Sequence, residues 1–410
     1  MTRKVDSRDL RIGLYVDALD RPWVETDFPF QGFRIQNQED LESLRRQTEY
    51  VFVDDEKSDE LTPKESVLAD RTSSQQSEKQ LRQVEVEIRK AHTVHSLIET
   101  SLSSVMNDMR LGRAVRLDDV KDAVKEMVQS LMRNPDALLL LGRIEQADNA
   151  AASHAINCSI IALTFGRYMG LKGEELEAFG LAALLHDVGE IEIPDELLDP
   201  TRPKTDEETT LIRRHTEFGR DILEKMNGIP PSVVDVVYSH HEQVDGKGYP
   251  RGLTGDNISL NAKMMSLVGV YEWCTSTVSG KMLTAPEASR FLYGQRDIMF
   301  DKDLTEKFIQ CLGIYPVGCI VELAKGEVGV VISIPEDARL YPRLVLVLDS
   351  DKQPYYPPRL INLSMFQSSE NAEEYAVKKV LPRDAYGFDF KKYIQREMGL
   401  TRDASKTASA

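Results

Sequence analysis

No long apolar run is present in this sequence. The best stretches, Ala137 to Leu141 and Leu181 to Leu185, fall far below the ~20 residues that a transmembrane helix needs. Cysteine is scarce as well. The four thiols, Cys158, Cys274, Cys311 and Cys319, show no paired spacing, which argues against a disulfide framework or a thiolate zinc cluster and reads as reduced, packed side chains. Basic stretches are absent. The 51 Lys and Arg residues are outnumbered by 67 Asp and Glu, for a net charge of −16, so duplex nucleic acid is not an expected partner. An anionic substrate would have to be met by local cations or by metal. The start, Met1-Thr2-Arg3-Lys4-Val5-Asp6, runs into charge and lacks the apolar region of a secretory signal. The expectation is a cytoplasmic protein with no membrane span.

Histidine is also rare, with seven in 410 residues, but its placement is ordered. His154 is followed by the pair His186-Asp187, then His215, then the pair His240-His241. A single histidine on an apolar helix is more often a packed core residue. That explanation fails for a His-Asp pair and a His-His pair in one series. Imidazoles and a carboxylate drawn from distant segments are what a two-metal hydrolytic site needs. Such donors suit iron, manganese or zinc rather than calcium. Two ions sharing a hydroxide would aim it at phosphorus, so hydrolysis of a phosphate ester is the expected chemistry. His92 and His95 could also share a helix face, but no other ligand type lies near them in sequence. They read as solvated or packed.

Around this series the chain divides by pattern. Residues 1–60 look β-rich, with Leu10 to Val16 and Tyr50 to Val53 as strands and aromatics at Trp23, Phe28, Phe30 and Phe33. This segment reads equally as a sensor or docking module and as a structural cap. Residues 61–142 form a polar linker that feeds a helical region, with apolar residues at helical spacing from Leu81 to Met106. Residues 143–312 carry dense helix: Ile156 to Met169, Gly173 to His186, Asp206 to Met226, Ser232 to His240 and Leu260 to Ser276. Residues 313–400 turn to short strands at Val317 to Leu323, Val328 to Ile332 and Leu344 to Leu348. The polar tail 401–410 reads as disordered. The fold class is α+β multidomain, a central all-α domain flanked by small β-rich modules. Asp245-Gly246-Lys247-Gly248-Tyr249-Pro250 is a loop whose glycines permit close backbone approach. Lys247 there is a candidate substrate cation or a solvated tip.

At these residues the chain resembles the HD-GYP family, bacterial HD-type phosphohydrolases that cleave the second messenger cyclic di-GMP. The match runs through Leu185-His186-Asp187-Val188-Gly189, Ile193-Pro194-Asp195, Glu207 and Glu208, His215, Gly219 and the whole His240 to Pro250 run. Leu10 to Gly13, Pro22-Trp23 and Phe30 to Phe33 resemble a small domain often found ahead of it. The resemblance implies that His154, His186, Asp187, His215, His240 and His241 are metal ligands, with Asp187 bridging and His186 beside it in the catalytic pair. His154 and the His-Asp pair would share one metal with a late aspartate. His215, His240 and His241 would serve the second. The Asp245–Pro250 loop would govern substrate access and contacts with diguanylate cyclase domains, and a homodimer is compatible with this reading. Three positions depart from the family pattern. Glu190 stands where lysine is usual, Gly269 where the late aspartate is expected, and Val278 where a basic residue is expected, with Lys281 nearby. Glu272 and Glu190 are candidate replacement carboxylates. Ala150, one turn before His154, cannot supply a ligand for a third metal. The implied function is metal-dependent hydrolysis of cyclic di-GMP to pGpG, with GMP as a further product. The alternative is a degenerate domain that binds cyclic di-GMP or a partner protein without turnover.

Overall fold

The computed structural model describes residues 2–21, 26, 28, 32–35, 38–55, 57–58, 73–111, 113, 117–144, 150–200, 202–276, 282–335, 338–367 and 372–397, with side chains of the helix at 73–85 and of residue 39 left aside. Trp23, Phe30, most of the linker, Leu81, Val84, Val278, Lys281 and the tail 401–410 therefore lie outside the described residues.

The chain begins with a four-stranded antiparallel sheet. Its strands are β1 (Thr2–Asp6), β2 (Tyr15–Leu19), β3 (Phe33–Arg34) and β4 (Tyr50–Asp54), in the order β1-β4-β2-β3. The alternation in β4 puts Val51 and Val53 on the buried face, as period-two patterning requires. A helix, α1 (Gln38–Gln47), crosses this segment and buries Leu41 and Leu44 against Val16 and Ile35. Leu10 to Gly13, expected as strand, form a turn instead, because Gly13 sits at φ 93°.

Helices follow: α2 (Ser73–Arg110), α3 (Asp118–Arg133), α4 (Pro135–Ile144), α5 (Ala150–Tyr168), α6 (Gly173–Leu185), α7 (Asp195–Leu198), α8 (Asp206–Arg213), α9 (His215–Glu224), α10 (Pro231–Ser239), α11 (Leu260–Thr275), α12 (Ala285–Gly294) and α13 (Lys302–Leu312). α5 and α6 pack along their lengths, and α10 lies against both α6 and α9. Ile156, Phe165, Phe179, Leu184, Val236 and Val268 are buried in this bundle. The helix expected over Asp206 to Met226 is two helices. α8 opens on a capping box between Thr205 and Glu208 and stops at Arg214, whose φ −71° and ψ −5° end the regular ladder. That break makes His215 the first residue of α9.

The second antiparallel sheet has strands β5 (Ile320–Leu323), β6 (Val328–Ser333), β7 (Arg343–Leu348), β8 (Pro354–Asn362) and β9 (Val377–Leu381), in the order β8-β7-β6-β5-β9. Its core is Val321, Leu323, Val331, Leu344 and Leu346. α14 (Phe390–Glu397) packs on α4. The described residues group into two compact units. Both sheets fall in the first, and the second spans Gln83–Leu283 with Gln295–Thr305 and the segment after Pro382. No helix among the described residues is long and apolar enough to cross a membrane.

Candidate metal centre

All six residues of the histidine series converge inside the helical unit. His154 projects from α5. His186 caps the C-terminus of α6, and Asp187 leaves the helix at φ −100°, ψ 15°. His215 opens α9, and His240 caps α10. Four of the five imidazoles therefore come from helix ends, where the chain can turn a side chain out of the helical array without losing packing below it.

One close approach makes the convergence possible. The 3-10 turn Val188–Glu192 lies directly on α9. A methyl group at Gly189 would fall on the carbonyl oxygen of His215 and the amide of Gly219. Only glycine lets these backbones meet, and their meeting brings His215 to Asp187.

The two oxygens of Asp187 face different partners. Oδ2 is 3.0 Å from His186 Nε2 and 3.7 Å from His154 Nε2. Oδ1 is 3.5 Å from both His215 Nε2 and His240 Nε2, which are 3.3 Å from each other. The outward nitrogens of His154, His186, His215 and His240 are engaged. Nδ1–H donates to the carbonyl three residues earlier in His186 (Ala183, 2.8 Å), His215 (Ile212, 2.8 Å) and His240 (Val237, 2.9 Å). In His154, Nδ1–H donates to Glu272. Each of these four rings therefore turns Nε2 inward, the nitrogen that metal-ligating histidines offer.

Burial opposes the charge on Asp187, yet His186, His240 and His215 hold it well below the usual carboxylate range. Burial pushes His240 down to about 4 and His241 well below the ordinary imidazole value. Burial keeps His215, His240 and His241 toward the neutral form that a divalent ion requires, whereas at His154 burial is outweighed by Cys158 and Glu272, which hold the ring well above the ordinary imidazole value. Among the described residues, two donor groups are tight enough to hold ions: Asp187 with His215, His240 and His241, and His154 with Cys158 and His186. The residues present fit a divalent metal.

Four of the expectations are refined by this geometry. Gly269 contributes no carboxylate, and a Cβ there would meet only Met265 at 3.8 Å. Glu272, almost fully buried at 1 % exposure, does reach His154, but on the outer nitrogen. Its second oxygen accepts from Asn157 at 3.2 Å, so both oxygens are occupied outside the donor shell. Glu190 is half-buried; burial first and the Asp187 charge second push it up to about 8. Cys158, expected as plain core packing, lies 3.6 Å from His154 Nε2. The only trace of this contact in the sequence was its i+4 spacing from His154.

The Asp245–Pro250 loop is pinned from below. Glu242, at 2 % exposure, accepts the amides of Arg251 and Leu253 at 2.8 Å each. Gly248 lies so close to Gln243 and His241 that no Cβ fits. Tyr249 stacks on the His241 ring at 4.6 Å, and the Arg213 guanidinium lies over the Tyr249 ring at 5.1 Å. Gly246 turns at φ 81°. Lys247 is an exposed tip, paired with Asp245 at 3.1 Å.

Comparison with known proteins is consistent with this geometry. Residues 126–304 match the HD domain family, and residues 2–120 match a domain of unknown function (DUF3391). The chain is 32% identical to the cyclic di-GMP phosphodiesterase PA4108 of Pseudomonas aeruginosa over 88% of this chain and 89% of that protein. It is 33% identical to the cyclic di-GMP phosphodiesterase response regulator RpfG of Xanthomonas campestris pv. campestris, over 41% of this chain and 46% of the relative. A solved HD-GYP-type protein, Bd1817 of Bdellovibrio bacteriovorus, aligns at 15% identity with TM-score 0.45, covering 75% of this chain and 98% of its own.

Proposed function

The chain belongs to the HD-GYP family of HD-domain cyclic di-GMP phosphodiesterases, and on that premise we propose that Asp187 is the bridging carboxylate of its hydrolytic centre. The chain is a metal-dependent hydrolase of cyclic di-GMP, with pGpG as the proposed product and GMP as a further one. The observation that supports the site is the split of Asp187, one oxygen toward His154 and His186, the other toward His215 and His240. His154 and His186 would hold one side of a two-metal centre, and His215, His240 and His241 the other. Iron or manganese suits the second side by its imidazole and carboxylate donors, with zinc as the further candidate. Metal bound there lowers the pKa of water and neutralises charge on phosphate oxygens.

The chain's own groups do the rest. Tyr249, fixed on His241, shapes the approach to the centre, and Gly246 and Gly248 keep the loop backbone low enough for a phosphodiester to pass. The Asp245–Pro250 loop, with Lys247 at its tip, is also the surface offered to diguanylate cyclase domains. The catalytic segment of this reading is 143–312, and it places the chain in the cytoplasm with its nucleotide substrate. A binding module without turnover is not favoured, since the donor set around Asp187 retains every member of the histidine series.

The test is direct. Protein loaded with manganese or iron under anaerobic conditions is expected to convert cyclic di-GMP to pGpG, read by chromatography. Stoichiometric metal with no linear product would overturn the reading.

A smaller effect belongs to Glu272. Burial works against its ionisation, and His154, Arg143 and Asn157 keep it below the usual range. Its charge strengthens the donor power of His154. Glu272→Gln keeps the shape and removes the charge, so metal affinity is expected to fall about 10-fold. Competition with a chelator measures this, and equal affinity in both proteins would free Glu272 of the role.

A further inference from the structure

The first side of the centre has three obvious donors: His154, His186 and Oδ2 of Asp187. The carboxylate expected from α11 is missing at Gly269, and both oxygens of Glu272 are committed to His154 Nδ1 and Asn157. Among the described residues, a buried thiol also lies on that side. Cys158 stands one turn beyond His154 on the same face of α5. It is fully buried, at 0 % exposure. Its sulfur is 3.6 Å from Nε2 of His154 and 3.9 Å from Nδ1, so it lies nearer the inward nitrogen. It also falls within the 4.8 Å group that contains His154 and His186.

We propose that Cys158 is a fourth protein ligand on the His154, His186 and Asp187 side, a thiolate in place of the missing carboxylate. This rests on the metal centre proposed above and adds a donor to it. The distances suit the assignment. With metal–sulfur and metal–nitrogen bonds of about 2.3 and 2.1 Å at a tetrahedral angle, sulfur and nitrogen stand about 3.6 Å apart. The distance between Cys158 Sγ and His154 Nε2 is 3.6 Å. Without metal, burial raises the thiol, but a coordinating thiol is deprotonated by the ion itself. The consequence is a centre with two unlike sides. A soft donor on the first favours zinc or another thiophilic ion, and imidazole with carboxylate on the second accepts iron or manganese.

Cobalt(II) is the probe. The full chain, stripped of metal and titrated with cobalt, is expected to develop a thiolate-to-cobalt charge-transfer band in the near ultraviolet. Cys158→Ser is expected to lose that band, whereas Cys274→Ser retains it. Zinc-loaded wild type should show a sulfur scatterer at about 2.3 Å by X-ray absorption, and zinc affinity should fall at least about 10-fold in Cys158→Ser. Cobalt uptake by wild type without the band, or a band that survives in Cys158→Ser, overturns the proposal. The wild-type spectra decide the matter even where a variant fails to fold. The outcome is also separate from turnover: a thiolate band in a protein that leaves cyclic di-GMP intact upholds the ligand and refutes the hydrolase. Turnover without the band does the reverse.

Discussion

Asp187→Ala is expected to lower cyclic di-GMP hydrolysis by at least about 10³-fold, on the scale of removing a key electrostatic element from an active site. Asp187 faces both sides of the proposed centre, through Oδ2 toward His154 and His186 and Oδ1 toward His215 and His240. Its loss leaves imidazoles without the negative charge that draws two cations together. Metal content measured after gentle purification should fall with the rate. The helical fold should survive, since the Asp187 side chain caps no helix and the flanking Val188 and Leu185 remain buried. Circular dichroism with elemental analysis separates these effects. A folded variant with unchanged turnover would remove Asp187 from the mechanism.

Gly189→Ala should be comparably damaging by another route. The added methyl meets backbone on both sides, the His215 carbonyl and the Gly219 amide, so no rotamer change relieves it. Overpacking of this kind costs about 3 kcal/mol. The turn and α9 must separate, which carries His215 away from Asp187. A displacement of about 1 Å in a catalytic constellation costs about 10²-fold in rate. A lower melting temperature together with weakened metal binding on the His215, His240 and His241 side is the expected pair of results. Normal stability and full activity would mean that the two backbones can part without moving the ligands.

Much of this protein was legible from local pattern. Helical periodicity marked α6, α10 and α11 within a residue of their observed ends, because an apolar face declares itself every three to four residues, whereas α5 begins at Ala150, six residues before the expected Ile156. Strand signals at Val328 to Ile332 and Leu344 to Leu348 appeared as β6 and β7. The histidine series named its own members, since adjacent and ordered metal-binding residue types are rare by chance in a chain with seven histidines. The glycine at 269 and the glutamate at 190 could likewise be read as departures before any fold was known.

Other features existed only once the chain was folded. A helix over Asp206 to Met226 satisfied every periodicity, yet it breaks at Arg214, where the His215 ring takes up the Ile212 carbonyl. The role of Glu272 depended on a partner 118 residues away. Cys158 looked like core because spacing alone cannot distinguish a thiol packed against apolar neighbours from one packed against imidazoles. Sequence determined which donors are available, since composition and order are local properties. Tertiary structure decided which atom of each donor faces inward, since that follows from helix ends, the Gly189 contact and hydrogen bonds closed between distant segments.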